Sequence, residues 1–204
     1  MTMKKSLIVT LAAAAMMFAG AHASAQVSLG FGPASRLYFT KGQDVTMTYG
    51  VQLNFEDSRR VSDAFGYSAG IDFGTYKNKE FFQPAPGASD NAQVGLSEMY
   101  VDIPVRAKLY IPLGYDCDFF FFAGVVPSLC VGSHRISGSE KYNRFGKDST
   151  YSRYDVLAGG GIGMEISERI KLALGYDHGL LNRYTGENAD LHVAAMKFTV
   201  SYMF

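Results

Sequence analysis

Three groups of residues in this 204-residue chain have the types and spacing that chemistry uses. His178 and His192 could approach one another near the outer ends of two late strands, and an imidazole beside a serine and an acid makes a nucleophilic arrangement. No serine is placed on the same faces, so histidines with a structural role at an interface are the plainer reading. Gly159-Gly160-Gly161 with Gly163 has the composition of a phosphate-cradling loop. Such loops feed a helix N-terminus, however, and this run sits inside an alternating strand, where small residues serve bending or tight packing. The stretch SHRISGSEKYNRFGKDSTY carries Arg135, Lys141, Arg144 and Lys147 against Glu140 and Asp148. That excess of two positive charges could contact lipid phosphates or a partner, and a plain solvated loop remains the alternative. HExxH and CxxC do not occur, so no catalytic residue, metal or cofactor is expected.

A fourth group is larger and is defined by periodicity. Glu56, Asp72, Asp102, Asp155, Glu165 and Asp177, with Arg106, Lys108, Lys171 and Lys197, all fall on the polar side of segments that alternate apolar and polar residues. The run from Met196 to Phe204 is the clearest: Met196, Phe198, Val200, Tyr202 and Phe204 point one way, Lys197, Thr199 and Ser201 the other. Met99, Val101, Ile103, Val105, Ala107 and Leu109 likewise oppose Tyr100, Asp102, Pro104, Arg106 and Lys108. Eight such strands are expected, at about 27–37, 45–56, 65–77, 97–110, 118–132, 153–166, 169–182 and 192–204. Pro33 suggests a bulge or an exit from the ladder in the first. Phe119–Val131 is apolar on both faces at its start, and the smaller even face, with Gly124, Ser128 and Cys130, places its odd positions outward.

The amino terminus is set aside from the fold. Lys4 and Lys5, the apolar Leu7–Gly20 and the small residues Ala23-Ser24-Ala25 read as a signal peptide, residues 1–25, cleaved before Gln26 to leave a single domain, 26–204. The apolar stretch is shorter than the roughly 18 to 20 residues of a membrane helix. Removing Lys4 and Lys5 from 19 basic residues leaves 17 against 19 acidic ones, a balance that excludes a basic nucleic-acid binder. Cys117 and Cys130 sit on one extended segment, where 13 steps of about 3.3 Å exceed the roughly 7 Å reach of a disulfide, so both are expected free.

The connections alternate in length. With the first strand rising from the periplasm, the top ones are about 38–44, 78–96, 133–152 and 183–191, and the lower ones about 57–64, 111–117 and 167–168. Short turns on one side and long loops on the other, with strands of about ten residues or more, mark a small outer-membrane barrel. Aromatics near strand ends, at Tyr49, Phe65, Tyr176, Tyr202 and Phe204, fit interfacial girdles. The fold expected is all-β: an eight-stranded antiparallel up-and-down transmembrane β-barrel with lipid outside, charges inside, and a lumen filled by side chains rather than an open pore. The ten luminal charges are read as an ion-pair network, with a proton or ion path as the alternative.

The terminal FTVSYMF resembles the assembly signal read by outer-membrane insertion machinery, with Phe198, Val200, Tyr202 and Phe204 as its apolar positions. MYVDIPVRAKLYI, FFFFAGVVPSLCVG, DVLAGGGIGMEI and KLALGYDHGLLNRY resemble successive strands of the Gram-negative "outer membrane beta-barrel domain" (PorT-like) proteins, similar in architecture to OmpX-like and OmpA-like barrels. The resemblance covers roughly residues 98–204. It implies residence in the outer membrane, contact with its lipids, and dealings with the insertion machinery and periplasmic chaperones during assembly. A structural or surface-interaction role follows, with lipopolysaccharide or another surface molecule as the loops' partner. A lipid-modifying barrel enzyme and a soluble exported barrel holding an apolar ligand are the rival readings.

Overall fold

The computed structural model describes residues 25–42, 44–81, 94–114, 116–137, 140–145, 151–184 and 190–204. The expected signal peptide falls outside these except for Ala25, the first residue of β1. The strands are β1 (Ala25–Thr40), β2 (Thr46–Arg60), β3 (Phe65–Phe81), β4 (Val94–Asp102), β5 (Val105–Gly114), β6 (Cys117–Ser137), β7 (Glu140–Asn143), β8 (Tyr154–Ile166), β9 (Ile170–Gly179) and β10 (Leu191–Met203).

All pairings are antiparallel, and β1 pairs with both β2 and β10, so the sheet closes on itself. Segments β4 and β5 are two halves of one wall strand. The first lies against the upper part of β3 and the second against its lower part, and both pair with β6. Counted that way, the ring has eight walls. The continuous strand expected at 97–110 is therefore broken at Ile103-Pro104, because Pro104 has no N–H to give the ladder. The seam stays closed: Ile103 N–H donates to Pro127 O at 2.8 Å, and Gly70 N–H to Pro104 O at 3.0 Å.

Pro33 does the opposite of what its type suggests. The ladder from β1 to β10 skips Gly32 and Pro33 yet resumes in the same register, Phe31↔Val200 then Ala34↔Lys197, and β1 pairs with β2 straight through Pro33↔Val51. The exposed ring points outward, and there is neither bulge nor exit. A second departure is at the top, where strands outrun the expected loops. β6 continues to Ser137 and folds back on β7 through His134↔Asn143 and Arg135↔Tyr142. Past Val131 the strand shifts register against β4, from Tyr100↔Cys130 to Met99↔Gly132, and its phase reverses, so that Ser133 is buried and His134 exposed.

At the lower end β8 and β9 are joined by Ser167, Glu168 and Arg169, the first two at positive φ (52° and 55°), with Arg169 N–H returning to Ile166 O at 3.1 Å. Ile166 pairs with Ile170 across this tight turn, whose two left-handed residues match the twist of the strands it links. Cys117 and Cys130 are free.

Alternation then sorts the residues. Phe198, Leu172 and Ile103 all face outward, Phe198 with 40% of its surface exposed, while Ser201, Lys171 and Asp102 face the axis and are buried. On β6 the odd positions face out as far as Val131, which sends Phe120 and Phe122 inward with Gly124. The glycines of β8 make room for them: a Cβ on Gly163 would come within 2.2 Å of the Phe120 ring, and one on Gly161 within 2.6 Å of Phe122. The glycine-rich run is packing, not a phosphate cradle.

Candidate functional site

The interior is built from the inward residues of all eight walls, and its polar groups form three tiers. In the lowest, Glu56 Oε1 accepts both Lys108 Nζ and Lys171 Nζ at 2.7 Å, and the two ammonium groups also donate to Ser58 and Ser28. Beside the lower opening Arg60 bridges Asp118 (2.5 Å) and Glu165 (2.8 Å) and stacks on Tyr110 at 4.0 Å. In the middle, Lys197 Nζ lies 2.7 Å from both Asp72 and Asp102, and Asp102 also receives Arg36 (2.5 Å) and Ser128 (2.5 Å). Arg106 pairs with Asp177 at 2.7 Å. Asp155 differs: its Oδ1 accepts the backbone N–H groups of Val156 and Leu181.

The structure thus places all ten sequence-derived luminal charges toward the axis and draws nine of them into ion pairs. Periodicity missed the third tier. Glu98 is fully buried and accepts Tyr38, Tyr100 (2.8 Å) and Ser133 (2.8 Å), while Arg144 reaches it at 3.3 Å. Arg183 donates to Tyr100 Oη at 2.5 Å and to Ser152 O at 2.9 Å. Burial works against the Arg183 charge, but Tyr100, Tyr151 and Glu98 around it hold the guanidinium well above its ordinary value. Burial likewise pushes the Tyr151 phenol up.

Guanidinium groups and rings alternate up this tier. Arg36 stands 4.1 Å over Tyr100, Arg183 4.6 Å over Tyr151, Arg144 4.0 Å over the same ring, and Arg153 4.3 Å over Phe145. Each contact adds cation–π attraction to a site shielded from water. Tyr38, Leu96, Tyr151, Leu191 and Val193 pack around it, joined by Phe145 and Tyr184. Three of its cations, Arg144, Arg153 and Arg183, come from outside the strands, so the external segments close the mouth.

Arg144 therefore leaves the basic loop patch: it points into the barrel and meets Glu98, because a buried carboxylate draws in the nearest cation. Arg135 is half-buried on β6. Lys141 belongs to β7, and Lys147 falls outside the described residues. Extending the β4 alternation two positions back from Tyr100 would have found Glu98; no periodic signal marks Arg144 or Arg183, which reach back from loops.

Below the middle tier lies a cavity of about 60 Å³, lined by Glu56, Asp72 and Asp177 and by Arg106, Lys108, Lys171 and Lys197. Gln52 Oε1, Asp177 Oδ1 and Ser201 Oγ are buried around it without a protein partner. A polar space of that size accommodates on the order of four or five waters, which those atoms would bind.

The outer wall is the complement. Among the described residues, Asp, Glu, Lys, Arg and His occupy outward strand positions only at the rims: Asp57 and Arg59 below, bonded to each other at 3.2 Å, and Lys77, His134, His178 and His192 above. Between them run Leu53, Phe55, Ile71, Phe73, Leu174, Phe198 and their like, each at least 40% exposed. Tyr49 and Tyr176 stand near the upper rim, and Phe65, Tyr202 and Phe204 near the lower, all exposed. The four apolar residues of the terminal motif, Phe198, Val200, Tyr202 and Phe204, share this outer face. His178 and His192 do meet, stacked at 6.2 Å between ring centroids.

The family described as "Outer membrane protein beta-barrel domain" matches residues 19–184. No curated protein matches the chain. Among solved structures, Ail, the attachment invasion locus protein of Yersinia pestis in complex with the heparin analogue sucrose octasulfate, is similar at 11% identity, over 88% of this chain and 99% of that one, with a TM-score of 0.51. Neisserial surface protein A is similar at 12% identity, over 88% and 97% of the two chains, with a TM-score of 0.50. At such identities the likeness is one of fold.

Proposed function

The chain belongs to the outer membrane protein beta-barrel domain family, and from that premise we propose that it works as a sealed, non-catalytic barrel whose external segments meet a surface partner. The observation that carries this is the contrast between an outer wall free of charge between its rims and an interior closed by ion pairs. A membrane barrel needs the first because an unpaired charge in hydrocarbon is costly. A pore would need a continuous wet path, whereas the Glu98 tier fills the outer mouth with packed rings and paired charges.

The loops supply the contact surface. Arg153 is exposed at the mouth, and Arg135 and Lys141 lie on the β6–β7 hairpin, a basic edge suited to an anionic partner such as lipopolysaccharide. The surroundings of His178 favour a structural role: Tyr176, Phe39 and His192 hold its ring at the rim. The test combines carbonate extraction, unheated against boiled gel mobility, and swelling of vesicles that carry the refolded protein. The chain should stay with the membrane pellet, migrate faster unheated, and leave the vesicles impermeable to small sugars. Release with the soluble periplasmic fraction, or rapid swelling, would overturn the proposal.

A further inference from the structure

The stacked histidines serve no purpose in a merely sealed barrel. His178 on β9 and His192 on β10 face outward at the top of the apolar wall, with rings nearly parallel at 15° and centroids 6.2 Å apart. Both Nδ1 atoms are engaged: His178 Nδ1 lies 3.3 Å from Tyr176 Oη, and His192 Nδ1 lies 3.1 Å from Gly179 O, to which it donates. Phe39 tilts against His178 at 5.5 Å and Tyr176 stacks at 6.4 Å, so rings fix the pair from two sides. That leaves the two Nε2 atoms as the polar edge the pair presents at headgroup height. Among the described residues, the Asp, Glu, Lys, Arg and His side chains at outward strand positions of the upper rim are one-sided: Lys77, His134, His178 and His192 are all bases.

We propose that His178 and His192 form a seat for the phosphate of an outer-leaflet lipid, which sits against the outer edge of the pair and accepts from both Nε2 atoms while its acyl chains run down the apolar wall. The proposal rests on that wall facing lipid. One tetrahedral phosphate offers several oxygens and can bridge donors on two neighbouring rings, and hydrogen bonds from cationic donors to phosphate are among the strong ones. Imidazole is the side chain that changes charge between pH 5 and 8, so the hold tightens as the pair takes up protons and slackens as it loses them. The ionisable groups facing the pair are Tyr176 on β9 and Tyr154 on the neighbouring β8. β1 contributes the uncharged Phe39, and the strand tops carry Lys41 and Asp190, whose carboxylate is already occupied by Asn182 at 3.0 Å.

The test uses the full-length mature barrel refolded in detergent, with only the fast-migrating folded band taken forward. Phosphatidic acid, its phosphate-free diacylglycerol counterpart and inorganic phosphate are the probes, and lipid retained is counted by native mass spectrometry at pH 5.5 and pH 8. Phosphatidic acid should be retained about tenfold more at the lower pH, diacylglycerol equally at both, and inorganic phosphate should not displace the lipid. His178→Gln with His192→Gln should remove the pH dependence. Retention by the double variant equal to that of the parent, retention indifferent to the phosphate, or displacement by inorganic phosphate would each overturn the proposal. As a readout that needs no variant, the imidazole nitrogen signals of His178 and His192 should move on adding phosphatidic acid and stay put with diacylglycerol; no movement refutes the seat. Failure of the unheated barrel to run fast would instead count against the membrane-barrel reading.

Discussion

The upper and lower halves of the lumen solve one problem in two ways. Each holds buried carboxylates and cations in numbers that nearly balance, yet the upper half surrounds Glu98 with rings and aliphatic side chains, while the lower half leaves a polar cavity beside Glu56. In the upper half every donor on Glu98 is a protein group: two phenols, a serine and Arg144. Three acceptors beside the lower cavity, Gln52 Oε1, Asp177 Oδ1 and Ser201 Oγ, are left for water, against Asp155 Oδ2 in the upper half. A charge lost from a dry site strands its partner, whereas a charge lost beside water is replaced by hydration. The upper tier is thus expected to carry rigidity and closure, and the lower tier to be tolerant.

The largest test of that contrast removes one negative charge from each half. Glu98→Gln should cost about 3 kcal/mol or more, since Arg144 and Arg183 lose the carboxylate that offsets their burial. Glu56→Gln, with Lys108 and Lys171 beside the cavity, should cost about 1–2 kcal/mol. Urea midpoints of the folded band in phospholipid vesicles measure both. Equal losses would show that the two halves are equally dry, or equally wet.

A second test asks which half seals the barrel. Arg144→Ala with Arg183→Ala withdraws the two buried guanidinium groups that reach into the mouth from outside the strands, and should connect the cavity to the exterior. Current steps in planar bilayers are expected where the parent protein is silent. Lys108→Ala with Lys171→Ala enlarges the cavity from below the middle tier and should stay silent, because Arg36, Asp102 and Lys197 still bar the way above it. Currents from the lysine pair alone would move the seal to the lower half.

The same division marks what was legible in the sequence. Alternation has a period of two and is blind to height, so it found Glu56, Asp72, Lys108, Lys171 and Lys197 wherever a strand kept its phase. It did not find Arg144 or Arg183, because a loop residue's direction depends on where the chain returns, and that is a tertiary fact. Proline was misread twice for a related reason. Pro33 and Pro104 are alike in lacking an N–H, but the first is absorbed with the ladder resuming in register, and the second falls where both neighbouring strands lose their continuous pairing. Only the partner strands decide between those outcomes. The membrane-facing side was open to the sequence as two options, and the exposed Phe198 against the buried Lys197 distinguishes them.

The smallest expected effect is the most specific to the contrast. Tyr100 Oη donates to Glu98 and accepts from Arg183 in the packed tier, so Tyr100→Phe removes two charge-assisted bonds from a place that water does not readily enter. Its cost should be about 2–3 kcal/mol, in the range for buried bonds to charged groups. Ser201 Oγ, by contrast, has no protein partner, and it borders the cavity. If water serves that hydroxyl, Ser201→Ala merely lets the water turn to its other neighbours and should change the midpoint by less than about 0.5 kcal/mol. If the cavity is dry, the hydroxyl is an unpaid buried polar group, and the same substitution should raise stability by about 1 kcal/mol or more. The sign of one small number therefore reports whether the lower half is hydrated, which is the premise on which its tolerance depends.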